Sequence, residues 1–136
     1  LFGGANNFQL PPTEYFCIWD KQQTVDNFAT AEYAWVSMGL KKPAKIFRYS
    51  IHQHNCDHLK QGKIHPTQKP IKLYQWLLDN YAFKDHKILD THLGSASSAI
   101  AAHYFGCDFV GVEIDEDYYV AACERYTAET AQEALF

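Results

Sequence analysis

An α/β fold built on a parallel βαβ unit is predicted for this 136-residue chain, and three observations carry it. Two short apolar runs, Lys87-Ile88-Leu89-Asp90 and Asp108-Phe109-Val110-Gly111-Val112-Glu113-Ile114-Asp115, both end in acidic residues. Between them lie a turn holding Gly94 and a stretch of helical periodicity from Ser97 to Phe105. A helical pattern opened by Pro70 precedes the first run, and another follows the second. Helix, strand, glycine-containing turn, helix and acid-ended strand is the order of a nucleotide-type cofactor site.

The length suits one domain with a real core. A hydrophobic content of 47% with 21% charged residues is that of a globular chain, and no apolar run reaches a membrane span. Net charge is −4, so no polyanion partner is advertised overall, although Lys41, Lys42, Lys45 and Arg48 cluster, as do Lys60, Lys63 and Lys69. Cys17, Cys56, Cys107 and Cys123 form no Cys-x-x-Cys pair, which fits a reduced, cytoplasmic protein. Leu1 is not a natural initiator and Leu1-Phe2-Gly3-Gly4 reads as a strand end, so a segment upstream of Leu1 is expected.

Tyr15 to Trp19 is rich in strand formers, with Leu10-Pro11-Pro12-Thr13 as a loop before it. Asn27 to Met38 is predicted helical, with Thr30 as N-cap and Ala31, Ala34 and Trp35 at helical spacing. Ala44 to Ser50 alternates as a strand that pairs antiparallel with residues 15–19. Residues 51–63 are polar and read as loop. In an extended chain His52, His54, Cys56 and His58 would share one side, but their spacing is not that of zinc sites, and no metal is expected.

Pro70 suits a helix's first turn, and Ile71, Tyr74, Leu77, Leu78 and Tyr81 then form one stripe. In the next helix Ile100, Ala101, Tyr104 and Phe105 face inward and Gly106 ends it. Phe109 to Ile114 is apolar enough for a parallel strand covered on both faces. A last helix, Asp117 to Ala131, is expected to bury Tyr119, Ala122, Cys123 and Tyr126.

Asp90 ends a strand and Gly94 lies in the turn beyond it, where a side chain would push the backbone away from a ligand over the strand ends. The N–H groups opening the helix near Ser97 favour a carboxylate or phosphate there. Glu113 follows Asp90 by about 20 residues, where such folds hold a ribose through its hydroxyls. Asp115 competes for that role or caps the next helix. A dinucleotide oxidoreductase fits poorly, because the turn lacks a Gly-x-Gly-x-x-Gly series.

His65-Pro66-Thr67-Gln68-Lys69-Pro70 adds a far more specific signal. With the glycine turn it resembles the DNA amino-methyltransferases, S-adenosylmethionine enzymes that methylate adenine N6 or cytosine N4. In that family His-Pro-Thr-Gln-Lys-Pro precedes a helix beside the cofactor, and a strand ending Asp-Pro-Phe-x-Gly-Ser-Gly-Thr follows. The first motif matches unchanged. The second matches at Asp90, Gly94 and Ser95, with Thr91, His92, Ala96 and Ser97 at the positions of Pro, Phe, Gly and Thr. The later acidic residue matches at Glu113, and Trp19-Asp20-Lys21, Asn27-Phe28, Ala31-Glu32 and Trp35 look like the family's middle segment.

The resemblance implies a single domain of Rossmann-like S-adenosylmethionine methyltransferase fold, with a mixed, mostly parallel sheet in permuted order, incomplete at its N-terminus. Residues 64–131 would be its cofactor-binding half and 39–63 a short target-recognition region, with Arg48, Gln53 and Asn55 as candidate base readers. His65, Pro66, Thr67, Gln68 and Lys69 would line the methionine end of the cofactor. Asp90, Thr91, Gly94 and Ser95 would line its amino-acid portion, and Glu113 its ribose. The family's catalytic Asp/Asn/Ser-Pro-Pro-aromatic motif is not matched by Leu10-Pro11-Pro12-Thr13, so catalytic residues are expected upstream of Leu1. The implied activity is DNA adenine-N6 methylation. Cytosine N4 methylation, or an inactive remnant that folds without methylating, are the alternatives.

Overall fold

In the computed structural model, which describes residues 9–37, 41–55 and 62–131, the chain divides into two units, Leu1–Asp57 and His58–Phe136. Leu1–Gly4, Cys56, His58 and Lys60 lie outside the described residues.

The first unit is a three-stranded sheet in the order β2-β1-β3, with β1 Phe16–Asp20, β2 Ala31–Trp35 and β3 Lys45–Arg48. Alternation along β1 buries Cys17 and Trp19, and the Trp19 indole N–H donates to the Tyr49 carbonyl at 2.9 Å. The helix predicted over 27–38 is instead this second strand, paired antiparallel with Cys17 opposite Ala34 and Trp19 opposite Glu32. A short isolated helix is marginal, whereas here the strand fills the hydrogen-bonding edge of β1. Gln23 clamps the preceding loop by donating to the Phe28 and Ala29 carbonyls, and Thr30 accepts from the Lys21 N–H rather than capping a helix. Glu32 closes on Lys21 in an ion pair of 2.7 Å.

β3 runs parallel to β1, with Cys17 opposite Lys45, and not antiparallel as its sequence suggested. The reason lies in the hairpin. β2 ends at Trp35 beside Phe16, the start of β1, so a chain that crosses β1 from there re-enters in the direction of β1 itself. Residues 51–55, read as loop, are helical; Ser50 opens them, its hydroxyl accepting from the His52 N–H and its carbonyl from the His54 N–H. Helical geometry turns residues two apart to different sides, so His52 is exposed while His54 is buried edge-on against Trp19.

The second unit is a βαβ arrangement: α1 Ile71–Tyr81, β4 Lys87–Asp90, α2 Ser97–Phe105, β5 Asp108–Gly111 and α3 Glu116–Ala131. β4 and β5 pair in parallel, with Ile88 opposite Phe109 and Asp90 opposite Gly111. Pro70 is the N-cap residue of α1, its φ of −64° suited to that place. Leu78, Ala101 and Ala102 form a buried cluster, with Ile71, Tyr74, Ile88, Phe105 and Phe109 packed on it. Leu73, outside the predicted stripe, is also fully buried. The chain leaves α2 through Gly106 at φ +80°, whose N–H returns to the Ala102 and His103 carbonyls.

Three burial expectations are corrected. The strand expected to be covered on both faces is covered on one: Phe109 packs inward, while Leu89 and Val110 are 64% and 61% exposed. α1 and α2 both lie on the inward side, so nothing among the described residues of this unit screens the other. Tyr104 is exposed because its hydroxyl reaches out to the Glu129 carbonyl. Tyr119, Cys123 and Tyr126 are not packed away; with Leu93, His103 and Phe109 they line a cavity of about 700 Å³ between α3, α2 and β5. The side of α3 that does go under is Ala122 and Arg125.

Candidate functional site

The turn between β4 and α2 is braced at both ends by carboxylates. At its start Asp90 accepts from the His92 N–H at 3.0 Å and from the Ser98 hydroxyl at 2.5 Å, tying the end of β4 to the first turn of α2. Beyond β5, Glu113 accepts from the Gly94 N–H at 2.8 Å on one oxygen and from the Asp115 N–H at 3.1 Å on the other. The Asp115 N–H, with those of Gly94 and Ile114 and an electrostatic contribution from the His65 imidazole, holds the Glu113 carboxyl below the usual carboxylate range, against the opposing pull of burial. Glu113 is therefore an anion at neutral pH, and each of its oxygens keeps a lone pair for a further donor.

Gly94 sits at φ +54°, a conformation that L side chains rarely adopt. A Cβ there would meet the His65 ring at an ordinary 3.7 Å, so against the protein itself the need for glycine comes from the dihedral rather than from clearance. Two residues on, Ala96 holds φ +62° with a β-carbon, as the N-cap of α2 and without a side-chain cap bond. The first N–H groups of α2 have no partners within the helix and open onto the turn.

The His65–Pro70 segment folds against this turn. The Gln68 side-chain oxygen accepts from the Ile64 N–H and the Gln68 N–H donates to the His65 carbonyl, which closes the segment on itself. His65 accepts from the Thr67 N–H at 3.2 Å and meets Tyr118 of α3 edge-on, with ring centroids 4.4 Å apart. The Ser97 hydroxyl donates to the Lys69 carbonyl at 2.8 Å. Pro66, Thr67 and Thr91 are exposed, whereas Gln68 and Ser95 are buried. Of the ten residues named from the sequence, Asp90, Thr91, Gly94 and Ser95 belong to this turn. Glu113 and the His65 ring meet it at Gly94, and the Lys69 carbonyl meets Ser97 at the start of α2, while Pro66, Thr67 and Gln68 are brought along as parts of the His65–Pro70 segment. Asp115 settles as a helix cap, accepting from the Tyr118 N–H at 3.0 Å.

Sequence reasoning missed Ser97, Ser98, Tyr118 and Arg125. The last two follow a helical signal, Tyr118, Ala122 and Arg125 standing at i, i+4 and i+7, once a cation is admitted to the buried stripe. Among the described residues no group of three His, Cys, Asp or Glu side chains is placed to hold a metal ion, and no helix is long and apolar enough to cross a membrane.

A glycine turn joining a parallel strand to a helix, with an acidic side chain from just beyond the next strand closing on it, defines a Rossmann-like α/β fold. The chain belongs to the DNA methylase family of the N6/N4 type, whose family model matches residues 13–124. It is 30% identical over 87 residues to the type II methyltransferase M.HpaI of Haemophilus parainfluenzae, a match over 64% of this chain and 27% of that protein. Its fold is similar to that of M1.HpyAVI in complex with SAM (TM-score 0.59, 20% identity, 81% of this chain and 60% of that one). It is similar also to the cytosine-N4-specific PvuII DNA methyltransferase (TM-score 0.59, 15% identity, 87% and 55%). The chain spans about a quarter of the length of the curated relatives it matches.

Proposed function

We propose that this chain carries the S-adenosylmethionine site of a DNA amino-methyltransferase acting on adenine N6, with cytosine N4 as the alternative target. The observation that supports it best is the Glu113–Gly94 hydrogen bond, made where the His65 ring lies against the same turn. Three separate family motifs meet at that point. In this reading residues 64–131 are the cofactor-binding half of a single methyltransferase domain, in a reduced, cytoplasmic protein, and residues 39–63 are its short target-recognition region.

The residues present suit such a cofactor. The anionic Glu113 has free lone pairs for ribose hydroxyls. The N-terminal end of α2 favours the amino acid's carboxylate, and Asp90, Thr91, Gly94 and Ser95 shape that end of the pocket. His65 to Lys69 form the wall beside the methionine portion. Bound S-adenosylmethionine would supply an electrophilic methyl group, and this chain's part is to hold it in place and exclude water. Of the candidate base readers, Arg48 lies 3.5 Å from Asp20 in an exposed ion pair, and Gln53 and Asn55 are exposed on the helical stretch 51–55.

Calorimetry of the intact protein with S-adenosylmethionine, S-adenosylhomocysteine and NAD tests this. Binding of the first two and not of NAD is expected. Tight NAD binding with no response to the others would overturn the assignment.

A further inference from the structure

Arg125 is the one strongly buried cation among the described residues, 8% exposed, and it points from α3 at the back of the cofactor turn. Its Nη1 donates to the Ser95 carbonyl at 2.6 Å and to the Ser97 hydroxyl oxygen at 2.9 Å. Ser97 has a single hydroxyl proton, which it gives to the Lys69 carbonyl, so in its 3.1 Å contact with Ser95 the Ser95 hydroxyl donates. One guanidinium thereby reaches the glycine turn directly and the His65–Pro70 segment through one side chain.

Stability alone does not account for this. Burying a guanidinium costs several kcal/mol unless it is paired with a carboxylate, and burial pulls the Arg125 pKa down. Glu129, one turn on, opposes this electrostatically but is not within ion-pair distance, and the Arg125 Nε makes no hydrogen bond to the described residues. An apolar side chain of similar volume would avoid the cost of burying a charge but would leave the Ser95 carbonyl without this donor, so the arginine is tied to the orientation of that peptide. What the arginine provides is orientation. The Ser95–Ala96 peptide is gripped on both sides, its carbonyl by Arg125 and its N–H by the Leu93 carbonyl at 3.1 Å. That peptide leads into Ala96 at φ +62°, a conformation that persists only where its surroundings hold it.

We propose that Arg125 is a positioning residue for the cofactor turn, locking Ser95 and Ser97 so that the turn and the His65–Pro70 segment act as one wall of the site. The proposal rests on the cofactor reading above. The test compares wild type, Arg125→Met and Arg125→Lys in the intact protein. It measures the Kd of S-adenosylmethionine by calorimetry, and KM and kcat for methyl transfer per correctly folded enzyme. Arg125→Met is expected to raise Kd and KM for S-adenosylmethionine about tenfold, which is about 1.4 kcal/mol, with kcat within about twofold. Arg125→Lys, which keeps the charge and one donor, recovers part of the affinity.

A purely structural role would lower the folded fraction and leave Kd and KM unchanged in both variants, and that result overturns the proposal. If Arg125→Met does not fold, Ser97→Ala cuts the same link from the other end. A rise of about threefold in Kd is then expected, and an unchanged Kd is equally decisive against the proposal. Wild-type protein that binds no S-adenosylmethionine would instead remove the cofactor reading itself.

Discussion

Replacing Glu113 by alanine removes the acceptor for two backbone N–H groups, those of Gly94 at 2.8 Å and Asp115 at 3.1 Å. Hydrogen bonds to a charged group are each worth about 1.5–3 kcal/mol, but this carboxylate is only partly buried and water will replace part of the loss. A destabilisation of about 2 kcal/mol is therefore expected. If the same carboxylate also holds ribose hydroxyls, affinity for S-adenosylmethionine falls by about 1–3 kcal/mol, or roughly 5- to 150-fold. Calorimetry reads the second effect and thermal melting the first. Melting also carries a pH signature. The Glu113 carboxyl lies below its ordinary value of 4.5 in the folded protein, so its stabilisation is fully present above that pH and is lost as pH falls through the folded value. The melting gap between wild type and Glu113→Gln should be level above about pH 5.5 and close on further acidification. A gap that widens as pH falls refutes the reasoning. An unchanged affinity in Glu113→Ala would move the ribose role to Asp115.

Two further outcomes follow from the turn and from the motif inventory. At Ala96 the positive φ costs an L-residue about 1–2 kcal/mol. Relief of that strain in Ala96→Gly roughly offsets the lost methyl burial and the added chain entropy, so urea titration should show a change within about 0.5 kcal/mol. The same substitution at Ala101, buried within α2, should cost about 2 kcal/mol, and equal costs at the two sites would mean that Ala96 is not strained. Residues 1–136 by themselves are expected to transfer no labelled methyl from S-adenosylmethionine to duplex DNA, because they contain no Asp/Asn/Ser-Pro-Pro-aromatic motif to orient the target amino group. Incorporation by this chain alone would show that the catalytic group lies within it.

The βαβ half was legible because its signals are local. Pro70, the periodicity of residues 97–105, Gly106 and the acid-ended apolar run each describe a few neighbouring residues, and the structure places α1, β4 and α2 where those signals lie, while β5 covers Asp108–Gly111 alone and leaves Glu113 beyond the strand expected to reach Ile114. Asp90 and Gly94 were legible for the same reason, as the strand end and glycine of one turn, whereas His65 to Lys69 were named from a family resemblance and meet that turn only through long-range contacts such as the one from Ser97 to the Lys69 carbonyl. Strand partners were not legible. Residues 31–35 carry helical spacing, and only the open edge of β1 makes them a strand; the direction of β3 depends on where that hairpin ends. Nor could sequence say which side of α3 would be buried. Its Tyr119, Cys123 and Tyr126 face is the more apolar one, yet it lines a cavity, while Arg125 goes under because carbonyl and hydroxyl oxygens of a distant turn are there to meet its guanidinium. Local dihedral preference and side-chain period are properties of the chain itself, whereas the partner of an edge or of a buried charge exists only once remote segments have come together.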